Sequence, residues 1–307
     1  MKTIGVLNEN KMWLDNSAMS LLKTCPRKYY LRIEQAICLA EASNALNTGT
    51  ICHEGVANYH KARLANHDFD TAKAIGLHTI SKGMLTITNP DKIRNETVVM
   101  RVMNTYFNKW KDEPYETLEA EIGFAVDLRD FVFVGKIDSL KTHPAFGLLV
   151  NETKTTTIVG ERWSLRTKPN AQIDGYVSAY YINTGDMPYG AILDIIPLFD
   201  ETTVKDKKSV ENRRPFRLLT TRSKQDVDNW ILNTNDWYRH LIRFKDSGVW
   251  PQNTDACAPL MGFTCEYIPI CSEYPNVSSV QSMNISSIYK RETWEPWEIT
   301  KKGGTEE

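Results

Sequence analysis

The chain has 307 residues, 41% hydrophobic and 24% charged, and its 37 basic and 38 acidic side chains leave a formal net charge of −1. That size and composition suit a globular protein of one large domain or two ordinary ones, and the near-zero charge excludes a global basic field that would bind any polyanion indiscriminately. No apolar run reaches the length of a membrane span and "MKTIGVLNENKMW" lacks the apolar stretch of a signal peptide, so a cytoplasmic protein without a membrane partner is expected.

Apolar residues three and four apart in "SAMSLLKTCPRKYYLRI", "TGTICHEGVANYHKARLA" and "TVVMRVMNTYFNKW" predict a mostly helical part over 17–115. Three strands follow as a meander: "TLEAEIGFAVDL", a turn at Arg129 and Asp130, "FVFVGKIDSL", a loop with His143 and Pro144, and "GLLVNETKT". Next come a helix in "PNAQIDGYVSAYYIN" with Pro169 near its start, a buried strand in "GAILDIIPLF", and a basic loop, "KDKKSVENRRPFRLL", that enters a further strand. The long amphipathic helix "SKQDVDNWILNTNDWYRHLIRF" closes the series. This order predicts an α/β fold with a mixed central β-sheet flanked by helices. The reading is one domain over 1–275, with its core at 116–250 and a cysteine segment at 251–275, then a loosely packed tail over 276–307. No Walker-type phosphate loop occurs, so no ATP-driven motor is recognisable.

Glu152 and Lys154 are two apart on a strand and share a face, and Asp138 reaches the same level on the neighbouring strand if the two pair as a hairpin. Adjacent carboxylates repel unless a cation lies between them, and hard oxygen donors suit Mg²⁺ or Mn²⁺. A metal held there polarises a phosphodiester and activates water, while the lysine orients the nucleophile. The ordinary alternative is a solvent-facing salt bridge. His53, beside Glu54 on a predicted helix, is either a satisfied structural imidazole or a third donor favouring Mn²⁺. Gln172 and Tyr176, four apart, share a helix face that meets a phosphate or base edge, or is plain surface.

Cys257, Cys265 and Cys271 crowd together and Cys25 lies far upstream. Four such thiols suit a tetrahedral iron-sulfur cluster or zinc, and the spacing does not choose between them. The alternative, that cysteines are small buried hydrophobes, is the reading taken for Cys38 and Cys52. "ERWSLRTKP", with Trp163 as a stacking platform, and the basic loop at 205–217 are candidate walls of a phosphate-backbone groove.

His53 in Gly-Thr-x-x-His-Glu, Asp138 in Gly-x-Ile-Asp, Glu152-x-Lys154 and Gln172-x-x-x-Tyr176 occur in an order that resembles the RecB-like branch of the PD-(D/E)XK nuclease superfamily, from Ser17 to about Cys271. "CPRKYYL" with the terminal cysteine trio is similar to the iron-sulfur nucleases of that branch, which include CRISPR-associated iron-sulfur exonucleases. The resemblance implies a restriction-endonuclease-like core and a metal-dependent DNA exonuclease acting on single strands or DNA ends. In it the positions matching His53, Asp138 and Glu152 bind Mg²⁺ or Mn²⁺, Lys154 assists catalysis, and Gln172 and Tyr176 shape the DNA site. It also implies a [4Fe-4S] cluster, rather than zinc, held by Cys25, Cys257, Cys265 and Cys271. Two departures stand out: Glu152 replaces the aspartate usual in this branch, and the first gap of the trio exceeds a short Cys-x2-Cys. The competing readings are a catalytically silent nucleic-acid-binding scaffold and a nuclease subunit active only with a helicase or integrase. A partner in recombination, replication or CRISPR adaptation belongs with the second. Retention of Asp138, Glu152 and Lys154 together argues against the silent scaffold.

Overall fold

The computed structural model describes residues 3–41, 43–204, 206–259, 264–274, 280 and 287–295. Two short strands, β1 (Thr3–Ile4) and β2 (Met12–Leu14), precede α1 (Asn16–Thr24), which Asp15 opens by accepting a hydrogen bond from Ala18 N at 2.7 Å. A proline disfavours helical backbone in the residue before it. Cys25 is accordingly extended (φ −164°, ψ 113°) between α1 and α2 (Pro26–Tyr29), and a π-turn at Tyr30–Glu34 leads to β3 (Ile37–Leu39).

Three helices follow: α3 (Asn44–Leu64), α4 (Phe69–Met84) and α5 (Glu96–Lys109). The sequence pattern anticipates α3 and α5 but not α4, whose buried stripe of Ala72, Gly76, Ile80 and Met84 is half small residues and carries a weak hydrophobic signal. Those small residues set the packing. A Cβ on Gly55 would lie 2.3 Å from Ile80 Cγ1, so the glycine two positions after His53 lets α3 and α4 approach closely and fixes the helix that carries the histidine.

The meander is present as β4 (Glu116–Asp127), β5 (Phe131–His143) and β6 (Gly147–Thr156), paired antiparallel. The crossover helix α6 (Ala171–Thr184) then returns the chain to β7 (Gly190–Pro197), parallel to β6, and β8 (Phe216–Thr221) pairs antiparallel to β7. Among the described residues the sheet has seven strands in the order β1-β4-β5-β6-β7-β8, with β2 beside β5. The mixed α/β sheet flanked by helices is therefore observed. A short helix α7 (Lys207–Glu211) lies within the expected basic loop, and α8 (Lys224–Ser247) starts at a capping box made by Ser223 and Asp226.

Side chains alternate along β7, so Leu193 and Ile195 join the larger core with Phe124, Phe133, Val177 and Trp230. Ile196 instead joins the cluster of α3, α4 and α5, with Val99, Met103 and Phe107. After α9 (Ile268–Glu273), β9 (Tyr289–Arg291) pairs antiparallel with β3, and Tyr289 is buried. This part of the expected loose tail is thus packed; residues 275–279, 281–286 and 296–307 lie outside the described residues.

Candidate active site

The sheet forks where the candidate residues stand. Pairing between β5 and β6 runs from His143↔Gly147 to Ser139↔Asn151 and stops, while β5 continues against β4 and β6 continues against β7. The next residues on the two strands are Asp138 and Glu152. Beyond the fork, Thr153 N no longer meets a β5 carbonyl and instead donates to Asp138 Oδ2 at 2.8 Å. The aspartate thus satisfies an amide that the opening of the ladder sets free.

His53 on α3 places Nδ1 3.2 Å from Asp138 Oδ2, and Lys154 pairs through Nζ with Glu152 Oε1. The anticipated set is therefore brought together. Burial disfavours the imidazolium, but Asp138 beside it, helped by Glu152, raises the His53 pKa; burial likewise opposes the Asp138 carboxylate, but His53, the Thr153 amide and Lys154 together lower its pKa. Glu152 is only 2% exposed, and burial reinforced by the Asp138 charge pushes it up to about 7. Its Oε2 atom is buried without a hydrogen-bond partner. Lys154 loses solvent too, yet Glu152 more than compensates and its pKa is raised.

These groups line a cavity of about 490 Å³. Gln172 and Tyr176 form part of its wall: α6 is capped by Asn170, and Gln172 Nε2 donates to the buried Tyr176 hydroxyl at 2.8 Å. Sequence reasoning missed three charged residues of the same cavity: Asp15, Glu121 and Lys136. Lys136 carries a signal, since it sits within Gly-Lys-Ile-Asp. Glu121 carries none, because strand alternation does not reveal its left-handed backbone (φ 59°), and it pairs with Lys136 at the cavity wall. Of the expected groove walls, Trp163 donates its indole N–H to Ile158 O and has the Arg166 guanidinium over its ring. Arg217 departs from expectation: it is buried against Asp194 and Glu113, so it is no groove residue.

The four cysteines lie in one region of the fold without closing on a common point. Asn253 N donates to Cys25 Sγ at 3.3 Å, and Cys265 N donates to Cys257 O at 2.7 Å. Burial pushes the Cys271 thiol up to about 11, against the pull of Arg27 and with Cys25, Cys265 and Cys257 all adding to the rise. Cys52 is fully buried and pushed up to about 12, as fits a structural thiol.

Among the described residues no three His, Cys, Asp or Glu side chains stand in a ligating arrangement around a single point. At the fork the donors face each other instead, His53 on Asp138 and Lys154 on Glu152. The donor chemistry nevertheless fits a hard divalent cation, because the two acids adjoin and one buried carboxylate oxygen lacks any partner.

A mixed sheet that splays to present an acid on one strand and acid-x-lysine on the next places this protein in the nuclease class of α/β folds. The chain belongs to the PD-(D/E)XK nuclease superfamily, whose family model matches residues 16–272. Members of that superfamily generally use divalent metals such as Mg²⁺. No curated protein matches the chain. Among solved structures, the crystal structure of a "Putative exonuclease" from Eubacterium rectale aligns with a TM-score of 0.44 and 13% identity, over 88% of this chain and 100% of that one. Among the described residues no helix is long and apolar enough to cross a membrane.

Proposed function

We propose that the chain is a metal-dependent deoxyribonuclease that degrades single-stranded DNA or DNA ends with little sequence specificity, in one domain spanning 1–275. The observation that carries this reading is the buried, unpartnered Glu152 oxygen beside Asp138 in a cavity that also holds Lys154. His53, Asp138 and Glu152 would hold Mg²⁺ or Mn²⁺, which would polarise the scissile phosphate and activate water. His53 and Thr153 N hold the Asp138 carboxylate in place. Lys154, anchored by Glu152, presents ammonium protons to the attacking oxygen or to a phosphate oxygen. Gln172 and Tyr176 bear on the strand from α6.

Cys25, Cys257, Cys265 and Cys271 are proposed to hold a [4Fe-4S] cluster that ties the end of α1 to the segment after α8. The hydrogen bonds that join Asn253 N to Cys25 Sγ and Cys265 N to Cys257 O, which bring the two ends of the set into one region, support it. Cys265→Ala is then expected to bleach visible absorbance and lower the melting temperature; unchanged colour and melting would refute the cluster.

The decisive experiment incubates end-labelled single- and double-stranded DNA with Mn²⁺, Mg²⁺ or EDTA, comparing wild type with Lys154→Ala. Cleavage that needs the metal and is lost in the variant is the expected result. A folded protein that leaves all substrates intact, or a variant as active as wild type, overturns the reading.

A further inference from the structure

The catalytic cavity opens into a longer track. Asn16 and Gln172 line both it and an adjoining cavity of about 400 Å³, while Lys23, Pro169 and Ala171 line both that one and a third of about 460 Å³. The three cavities run between α1 and the segment that leads into α6, and end over α8 at Asn229 and Asn233.

Lys23 stands where the second and third cavities join. It is half-buried and shares the lining of the third cavity with Asp174. Asp174, however, is already held by Arg222, and Lys23 forms no ion pair among the described residues. A partly desolvated ammonium without a counter-ion is unfavourable, and an anion entering the track relieves it. Arg166, exposed over Trp163, adds a second cation, whereas Lys168 is neutralised by Asp226 at 2.7 Å. At the far end Asn229 and Asn233 are four apart on α8 and exposed, so their amides face the same way. Each amide offers both donors and an acceptor, which suits base edges without selecting among them.

We propose that this track seats one strand of nucleic acid running from the reacting phosphate, with Lys23 and Arg166 binding successive backbone phosphates and Asn229 and Asn233 meeting the bases beyond. The proposal rests on the nuclease reading of the catalytic cavity. The cavities, each with the volume of a small-molecule pocket, suit a single strand better than a duplex. A strand end too short to reach Lys23 would occupy the catalytic cavity alone.

The test is fluorescence anisotropy, in EDTA, with labelled single-stranded oligonucleotides of roughly four to sixteen nucleotides and a blunt duplex for comparison. Wild-type affinity should rise with length until the track is filled, and the duplex should bind less tightly. Lys23→Gln should reduce the gain from length and lower the slope of log K against log salt by about 0.7 for the long strands, the share of one phosphate contact. For the shortest strand the slope should not change. Should Lys23→Gln fail to fold, Arg166→Gln, an exposed position, reads the same slope. A wild type that cleaves DNA, but whose variants keep its affinity and slope at every length, overturns the track alone. A wild type that neither binds nor cleaves DNA with Mg²⁺ or Mn²⁺ overturns the nuclease reading and the track with it.

Discussion

Two charge clusters, each built around a buried acid of the central sheet, differ in kind. At the fork stand Asp138, Glu152, Lys154 and His53; further along the sheet stand Glu113, Lys141, Asp194 and Arg217. In the second cluster Arg217 pairs with Asp194 through Nε and through Nη2, the latter at 3.1 Å, and Tyr106 donates to Asp194 Oδ2 at 3.1 Å. Lys141, fully buried, reaches Glu113 Oε1 at 3.2 Å, and the Arg217 guanidinium lies 4.0 Å from the Trp110 ring centroid. Burial pushes both key acids up, Asp194 to about 6 and Glu152 to about 7. The next influence separates them: at Asp194 it is the cation Lys141, which lowers the pKa, and at Glu152 it is the anion Asp138, which raises it further. Buried charge alone therefore does not mark a reactive site. The fork differs in setting a buried acid against another acid, at a break in the sheet ladder and on a cavity wall, and that is why the proposed reactive site is placed there.

Neutralising one acid in each cluster should give opposite results. Asp138→Asn is expected to lower metal-dependent turnover by about 10²–10⁴-fold, while melting temperature changes little, because the weakened hold on His53 and on Thr153 N offsets the loss of a like charge next to Glu152. Turnover measured beside thermal melting checks this, and retained turnover would break the distinction. Asp194→Ala is expected to destabilise by about 3–5 kcal/mol, because it strands Arg217 in the interior with too few acceptors. Urea denaturation reads that loss. Cleavage per folded molecule should stay near wild type, since Asp194 lies outside the catalytic cavity.

The motif residues were legible in sequence because strand period and hairpin pairing fix which side chains share a level, and Asp138, Glu152 and Lys154 needed only those two rules. Their fork was not legible: the pattern does not say where β5 and β6 stop pairing, and that stop is what exposes Thr153 N to Asp138. Arg217 misled for a related reason. In "RRPFR" it reads as the end of a basic run, but its register opposite Asp194 turns it into the interior. Glu121 escaped notice because a left-handed residue within a strand leaves no periodic trace.

Asp15 tests the comparison from a third position. It lines the cavity of the fork and is itself the residue that caps α1, where burial outweighs the hydrogen bond from Ala18 N and pushes its pKa from 3.8 up to about 6. A carboxyl that binds its proton more tightly when folded adds stability below its unfolded pKa, and that contribution fades as pH rises through the folded value. Wild type should therefore lose stability relative to Asp15→Asn between pH 3.8 and about 6, by about 3 kcal/mol in all. Asparagine keeps the cap, so the helix start is conserved and only the charge changes. Urea midpoints of the two proteins across that window measure the difference. Parallel curves would mean that Asp15 is solvated like a surface acid, and that the destabilising negative charge is confined to Glu152 at the fork. Curves that diverge as expected extend it along the cavity to the start of α1, so that the anionic wall facing the reacting phosphate is built from α1 as well as from the two strands.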